Sequence, residues 1–130
     1  LHKNSVLLAK RAETYKGKPV PFGGYWSIFT GALDKEDLSI LHTAQRELQE
    51  ETQITVSLKD LDYTATIDNP GCTLNIYAYE SSELIFPILD DEHTEFGWFS
   101  IEALKTFTEK IDQKVLECIY SYKDNSNTSK

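Results

Sequence analysis

RELQEETQI, residues 46–54, sets three glutamates within little more than one helical turn. At about 100° per residue, Glu47, Glu50 and Glu51 leave a helix through one narrow arc, because residues three and four apart are neighbours on its surface. Like charges so placed repel by roughly 0.2–0.5 kcal/mol per pair, so the cluster either faces water or meets a cation. Alone, such a turn is most often a solvated helix face, and its surroundings must decide. Working outward, the pattern from Leu38 to Thr52 predicts an amphipathic helix. Leu41, Ala44 and Leu48 recur on the buried side, and Arg46, Glu47, Glu50 and Glu51 lie mostly elsewhere.

On the N-terminal side, SVLLAK (residues 5–10) is a short apolar run suited to a buried strand. It leads into a polar loop punctuated by Gly and Pro. YWSIF (residues 25–29) is aromatic and β-prone and stops before Gly31. On the C-terminal side, β-prone runs at residues 54–58, 63–67 and 72–79 follow, the last two joined by DNPG, which predicts a hairpin. ELIFPIL is a further apolar run, DDEHTE an acidic loop and FGWFS a short aromatic strand. A second helical region is expected from Ile101 to about Tyr122, interrupted near residues 106–108, with Leu104, Phe107, Ile111, Val115 and Ile119 buried. These elements predict one domain over residues 1–122, a mixed α/β sandwich, with a disordered tail at 123–130.

The 130 residues, 40% of them hydrophobic, suit one core of ordinary size. A formal charge of -8 argues against affinity for nucleic acid polymers or anionic membranes, since both would repel the chain at long range. Small anions remain accessible through a divalent metal or a local basic patch, and Lys3, Lys10, Arg11, Lys16 and Lys18 all precede the first acidic stretch. Cys72 and Cys118 stand in no metal-binding spacing and read as reduced thiols. No apolar run approaches a membrane span and no secretory leader is evident, so a cytoplasmic protein is expected. The chain starts at Leu1 and contains no Met, which suggests a trimmed start. Gly-rich phosphate loops and serine elbows are absent from the sequence.

The stretch GALDKEDLSILHTAQRELQEETQI (residues 31–54) resembles the signature of the Nudix hydrolases, G-x5-E-x7-R-E-U-x-E-E-x-G-U, with U a bulky aliphatic residue. Gly31 matches the opening glycine, Arg46 and Glu47 the central pair, Leu48 the aliphatic, Glu50 and Glu51 the paired acids, and Ile54 the closing aliphatic. VLLAKR, GGYWSIFTG and EFGWFSIEAL resemble other segments of the family, so the likeness covers most of the chain. Three departures stand out. The stretch before Arg46 is one residue longer than the pattern, and Glu36 or Asp37 takes the place of the first, mostly supporting, glutamate. Thr30 stands where a backbone carbonyl often contacts metal, and Gln53 replaces the glycine that ends the helix.

The resemblance implies an α+β fold, the Nudix α/β/α sandwich with a mixed central sheet. It also implies Mg²⁺-dependent hydrolysis, with Mn²⁺ as the alternative ion, of a nucleoside diphosphate linked to another group. A nucleoside triphosphate, a nucleotide sugar such as ADP-ribose and a dinucleoside polyphosphate all qualify as substrates, and the short domain leans toward smaller nucleotides. Glu47, Glu50 and Glu51 would hold the metal with the Thr30 carbonyl, while Gly31 and Arg46 would serve structural roles. An extra acid is expected from the loop before the late WF strand, with Glu92 first, Glu95 second and His93 as a participant. Arg11 would contact base or phosphate. Of Phe22, Tyr25, Trp26 and Phe29, at most half can line a site, because alternate strand residues face the core; Tyr25 and Phe29 are the candidates. Pro70 resembles a proline of ADP-ribose pyrophosphatases but is also simply a good turn residue. The competing class is a catalytically silent Nudix-like domain that senses a nucleotide. Monomer and homodimer both stay open.

Overall fold

Alternating apolar residues in SVLLAKR bury Val6 and Leu8 on one side and Ala9 on the other, which makes this run the middle strand of a sheet. The computed structural model describes residues 1–19, 23–29, 39–69 and 72–128. In chain order the elements are β1 (Ser5–Arg11), β2 (Thr14–Tyr15), β3 (Lys18–Pro19), β4 (Trp26–Ser27), α1 (Ile40–Thr52), β5 (Asp62–Asn69), β6 (Cys72–Ala78), β7 (His93–Ser100) and α2 (Gln113–Thr128). Short 3-10 turns occupy Leu58–Asp60 and Ala103–Thr106. β1 pairs antiparallel with β4 on one side and with β7 on the other. β2 and β3 form a small hairpin, and so do β5 and β6. Among the described residues every strand pair is antiparallel, and the one parallel pairing is an isolated bridge from Trp26 to Ile111.

The core gathers Val6, Leu8, Trp26, Ile67, Ile76, Ile101, Leu104, Ile111, Val115 and Ile119 from β1, β4, the β5–β6 hairpin, α2 and the segment between β7 and α2. α1 packs on β6 and α2 on β5, so helices and sheets share this interior. Trp26 meets Phe99 edge-to-face at 5.2 Å and Phe107 at 6.2 Å. Gly97, opposite Leu8, makes the first contact possible, since a Cβ there would meet the Phe99 ring at 2.9 Å. The expected second helix is two elements. After the 3-10 turn the chain stays extended through Phe107, and Asp112 then caps α2 by accepting from the amides of Lys114 and Val115. α2 continues to Thr128, past Tyr122, where the sequence pattern ended the domain. No helix among the described residues is long and apolar enough to cross a membrane.

The β-prone run at 54–58 forms no strand, and the apolar run ELIFPIL joins none. Residues 54–57 lie in no ladder and lead into the first 3-10 turn, with the Val56 carbonyl accepting from Gln45 Nε2 at 2.7 Å, and ELIFPIL follows an irregular path with Pro87 buried while Leu84, Phe86 and Ile88 are exposed. Proline cannot donate to a ladder, and here the segment is held from outside any sheet. Trp98 Nε1 donates to the Ile85 carbonyl at 2.8 Å, and the Ile88 amide donates to the Thr52 carbonyl at 2.9 Å.

α1 begins at a Ser39 cap whose hydroxyl accepts from the His42 amide at 3.0 Å. It ends at Gln53, with φ 62° and ψ 19° in the left-handed region, where the resemblance placed a glycine. A residue with a Cβ pays roughly 1 kcal/mol for that conformation. Gln53→Gly is therefore expected to raise stability by roughly 0.5–1 kcal/mol, read as a higher urea midpoint at unchanged slope. A lower midpoint would show that contacts of the Gln53 side chain outweigh the backbone strain.

Candidate functional site

The most buried residues of α1 are Thr43, Glu51 and Thr52, while Leu41, Ala44 and Leu48 are only half-buried. The acidic arc is therefore not a solvated face, because its last glutamate points inward. Glu51 is 2% exposed, and its Oε2 has no hydrogen-bond partner. A buried carboxylate oxygen so left costs far more than an exposed one, unless the group is neutral or meets a cation. Burial first, and then the charges of Glu47, Asp90 and Glu92, push the Glu51 carboxyl up to about 9, with Arg11 pulling the other way.

Glu47 and Glu50 share one guanidinium. Arg46 Nη1 lies 3.0 Å from Glu47 Oε1 and 3.0 Å from Glu50 Oε2. The pair differs in burial, with the Glu47 side chain 16% and that of Glu50 57% exposed. Burial raises the Glu47 carboxyl, and Arg46 opposes this. One cation thus aligns two carboxylates at the rim while the third sits beneath them.

The opposing wall comes from the segment that enters β7. Asp90 Oδ1 accepts from the Glu92 amide at 3.2 Å and lies 2.9 Å from His93 Nδ1. His93 is 8% exposed, and its ring stands edge-on to Phe29 at 5.0 Å. The position of the ring follows from a register shift. Ala9 faces Phe96 and Lys10 faces Glu95, but Arg11 faces His93, so Thr94 is the extra residue of a bulge. Without that bulge Thr94, not His93, would stand opposite Arg11. Glu51, Asp90 and His93 each offer a ligand atom, and these atoms lie within 4.8 Å of one another.

The expected site residues thus divide. Glu47, Glu51 and Glu92 converge, and Glu50 joins them through Arg46. Glu95 points to Lys10 instead, 3.6 Å from its ammonium, with a side chain 60% exposed. Arg11, on the neighbouring strand, is close enough to act on Glu51. Phe29 borders the cluster, but Tyr25 has its ring beside the Lys110 ammonium, 5.6 Å from the centroid. Trp26 is a core residue, as its contacts with Phe99 and Phe107 show. Phe22, Thr30, Gly31, Glu36, Asp37 and Pro70 lie outside the described residues. Asp90 is the residue that sequence reasoning passed over. Its signal was the spacing D-x-x-H in DDEH, which can set a carboxylate against an imidazole.

Next to the carboxylates lies a cavity of about 430 Å³, largely apolar, whose walls include Glu47, Phe29, Leu48, Leu74, Ile85 and Trp98. That volume is in the range of small-molecule sites.

The chain matches the family model of the NUDIX domain over residues 2–118. Among curated proteins none matches it at a significant level. Among solved structures, the NUDIX domain of Shewanella oneidensis NrtR complexed with ADP ribose superposes with a TM-score of 0.72 at 20% identity, covering 93% of this chain and 77% of that one. A mutT/nudix family protein from Listeria innocua gives 0.69 at 24% identity, over 96% and 82%. The C. elegans Ap4A hydrolase in a binary complex gives 0.68 at 17% identity, over 95% and 88%. At these identities the likeness is one of fold.

Proposed function

Because the chain belongs to the Nudix family, we propose that it hydrolyses the diphosphate linkage of small nucleoside diphosphate derivatives with the help of a divalent metal ion. The observation that carries this is the buried, unpartnered Glu51 oxygen among further carboxylates, an oxygen-rich setting that calls for a cation. Glu47, Glu50 and Glu51 would hold the ion, joined by the Thr30 carbonyl. When bound, it supplies charge neutralisation of the two phosphates and a lower pKa for the attacking water.

The chain's own groups do the rest. Arg46 fixes the carboxylates of Glu47 and Glu50 in one orientation, which limits their reorganisation during the reaction. Glu92, rather than Glu95, would take the proton of the attacking water, a choice supported by its charge acting on Glu47 and Glu51 while Glu95 is engaged by Lys10. Arg11 would contact the phosphates, and Phe29, at the cavity wall, would border the nucleoside. Tyr25 is the outer candidate for stacking. The relatives named with ADP ribose and with Ap4A support a nucleotide as ligand. We also propose a cytoplasmic setting, with which a Cys118 outside any disulfide agrees.

The test is a panel of nucleoside triphosphates, nucleotide sugars and dinucleoside polyphosphates, with and without Mg²⁺ or Mn²⁺, resolved by product chromatography. Metal-dependent turnover of one class is expected. Nucleotide binding with no turnover would instead favour the silent, sensing domain. A second result is expected from Arg46→Met: kcat falls by about 10–100-fold, because partners that orient metal ligands carry effects of that size. An unchanged kcat would show that the two glutamates hold their positions without the guanidinium.

A further inference from the structure

We propose that Glu51, Asp90 and His93 form a mixed oxygen and nitrogen metal site, so that the ion this chain prefers is a first-row transition ion such as Mn²⁺ over Mg²⁺. Proximity alone does not make a site. The second observation is Glu51, which is 98% buried and whose Oε2, in the same cluster, has no hydrogen-bond partner.

The three residues come from three places in the fold: the last turn of α1, the irregular segment after β6, and the first residue of β7. Thr52, next to Glu51, accepts the Ile88 amide at 2.9 Å, which ties the segment carrying Asp90 to the end of the helix. The His93 ring is fixed by Asp90 at 2.9 Å on one side and by the Phe29 ring at 5.0 Å on the other. The ligand atoms lie within 4.8 Å of one another, against the roughly 4.2 Å that two donors about 2.1 Å from one ion can span at most.

The donor set decides the metal. Mg²⁺ demands oxygen ligands in near-ideal octahedral geometry and dehydrates reluctantly, whereas an imidazole nitrogen raises affinity along the first-row transition series, of which Mn²⁺ is the weakest-binding member and the one read here by resonance. The 2.9 Å contact between Asp90 Oδ1 and His93 Nδ1 keeps carboxylate and ring side by side, and an ion bound by both would take the place of that hydrogen bond. The inference deepens the hydrolase reading and rests on it only in placing the ion at the catalytic centre.

The experiment reads binding without substrate. Mn²⁺ is titrated into the purified chain, and pulsed electron paramagnetic resonance is recorded on unlabelled and ¹⁵N-histidine-labelled protein, with Mg²⁺ affinity measured by competition. The expected result is nitrogen modulation from one directly bound imidazole that changes with the label. Tighter binding of Mn²⁺ than of Mg²⁺ is also expected. The chain has three histidines, so His93→Gln should abolish the modulation and weaken Mn²⁺ binding by at least about tenfold, while Mg²⁺ affinity stays within about twofold. If that variant fails to fold, His2→Gln and His42→Gln assign the signal by elimination, since both should retain it. Mn²⁺ bound without nitrogen modulation overturns the proposal, as do modulation surviving in His93→Gln and no Mn²⁺ binding at all. Turnover on the substrate panel without bound nitrogen would leave the hydrolase standing and the mixed site refuted. Bound nitrogen without turnover would do the reverse.

Discussion

Glu51→Gln is expected to lower kcat by at least about a thousandfold, because the several kcal/mol that a correctly held metal contributes to a phosphoryl transition state is lost with its ligand. The substitution keeps shape and removes only the capacity to ionise, so folding should survive it. Of the three glutamates of α1, Glu51 alone is fully enclosed, with one oxygen unpartnered and three acidic neighbours acting on it. Glu50 is more than half exposed and already engaged by Arg46, so Glu50→Gln should cost less than Glu51→Gln. Steady-state kinetics with the best substrate of the panel provide the check. Equal losses in the two variants would mean that burial does not rank the ligands, and an intact rate in both would remove the helix from catalysis.

The second large effect is on stability. Glu51 titrates near 4.5 in an unfolded chain and near 9 in the metal-free fold, so between those values the folded state holds a proton that the unfolded state has lost. With more protons bound to the native state, stability falls as pH rises. It is highest below about 4.5, on this group's account, and declines toward pH 9 by up to about 1.4 kcal/mol per pH unit. Summed over that interval the loss reaches several kcal/mol, a large part of the 5–15 kcal/mol typical of a domain. Urea unfolding of metal-free protein at pH 5.5 and 8.5 should show it. Glu51→Gln should flatten the slope and be the more stable protein at pH 8.5, although it is the less active one. Divalent metal should reverse the trend, since binding needs the ionised carboxylate and displaces its proton. A metal-free stability that does not fall with pH would show that Glu51 is ionised in the fold and has a partner.

Much of this was legible in the sequence, and the misses have physical causes. β1, the β5–β6 hairpin and α1 follow from apolar alternation, a Pro-Gly turn and helical spacing, and the box glutamates from their resemblance to the Nudix signature. The buried face of α1 was misplaced because periodicity counts Leu41, Ala44 and Leu48 as core, yet it is Glu51 that the fold encloses. No hydropathy pattern announces a buried acid. ELIFPIL has the composition of a strand but lies outside every ladder, fixed by Trp98 and Thr52, residues remote in sequence. His93 reaches the site through the bulge at Thr94, a backbone event with no side-chain signature. Asp90 had only the D-x-x-H spacing as a signal, and its relevance depends on where the chain on either side of it is pinned.

The hydrogen bond from the Ile88 amide to the Thr52 carbonyl has a consequence for the whole chain. It joins the end of α1 to the approach of β7, and between them runs the complete β5–β6 hairpin. An ion shared by Glu51 and Asp90 would act there as a removable cross-link, closing a long loop whose ends the fold has already brought together. Closing such a loop in a free chain is entropically costly, so binding ties the hairpin's order to metal occupancy. The β5–β6 hairpin, which carries none of the site's carboxylates, would then be harder to open when metal is bound.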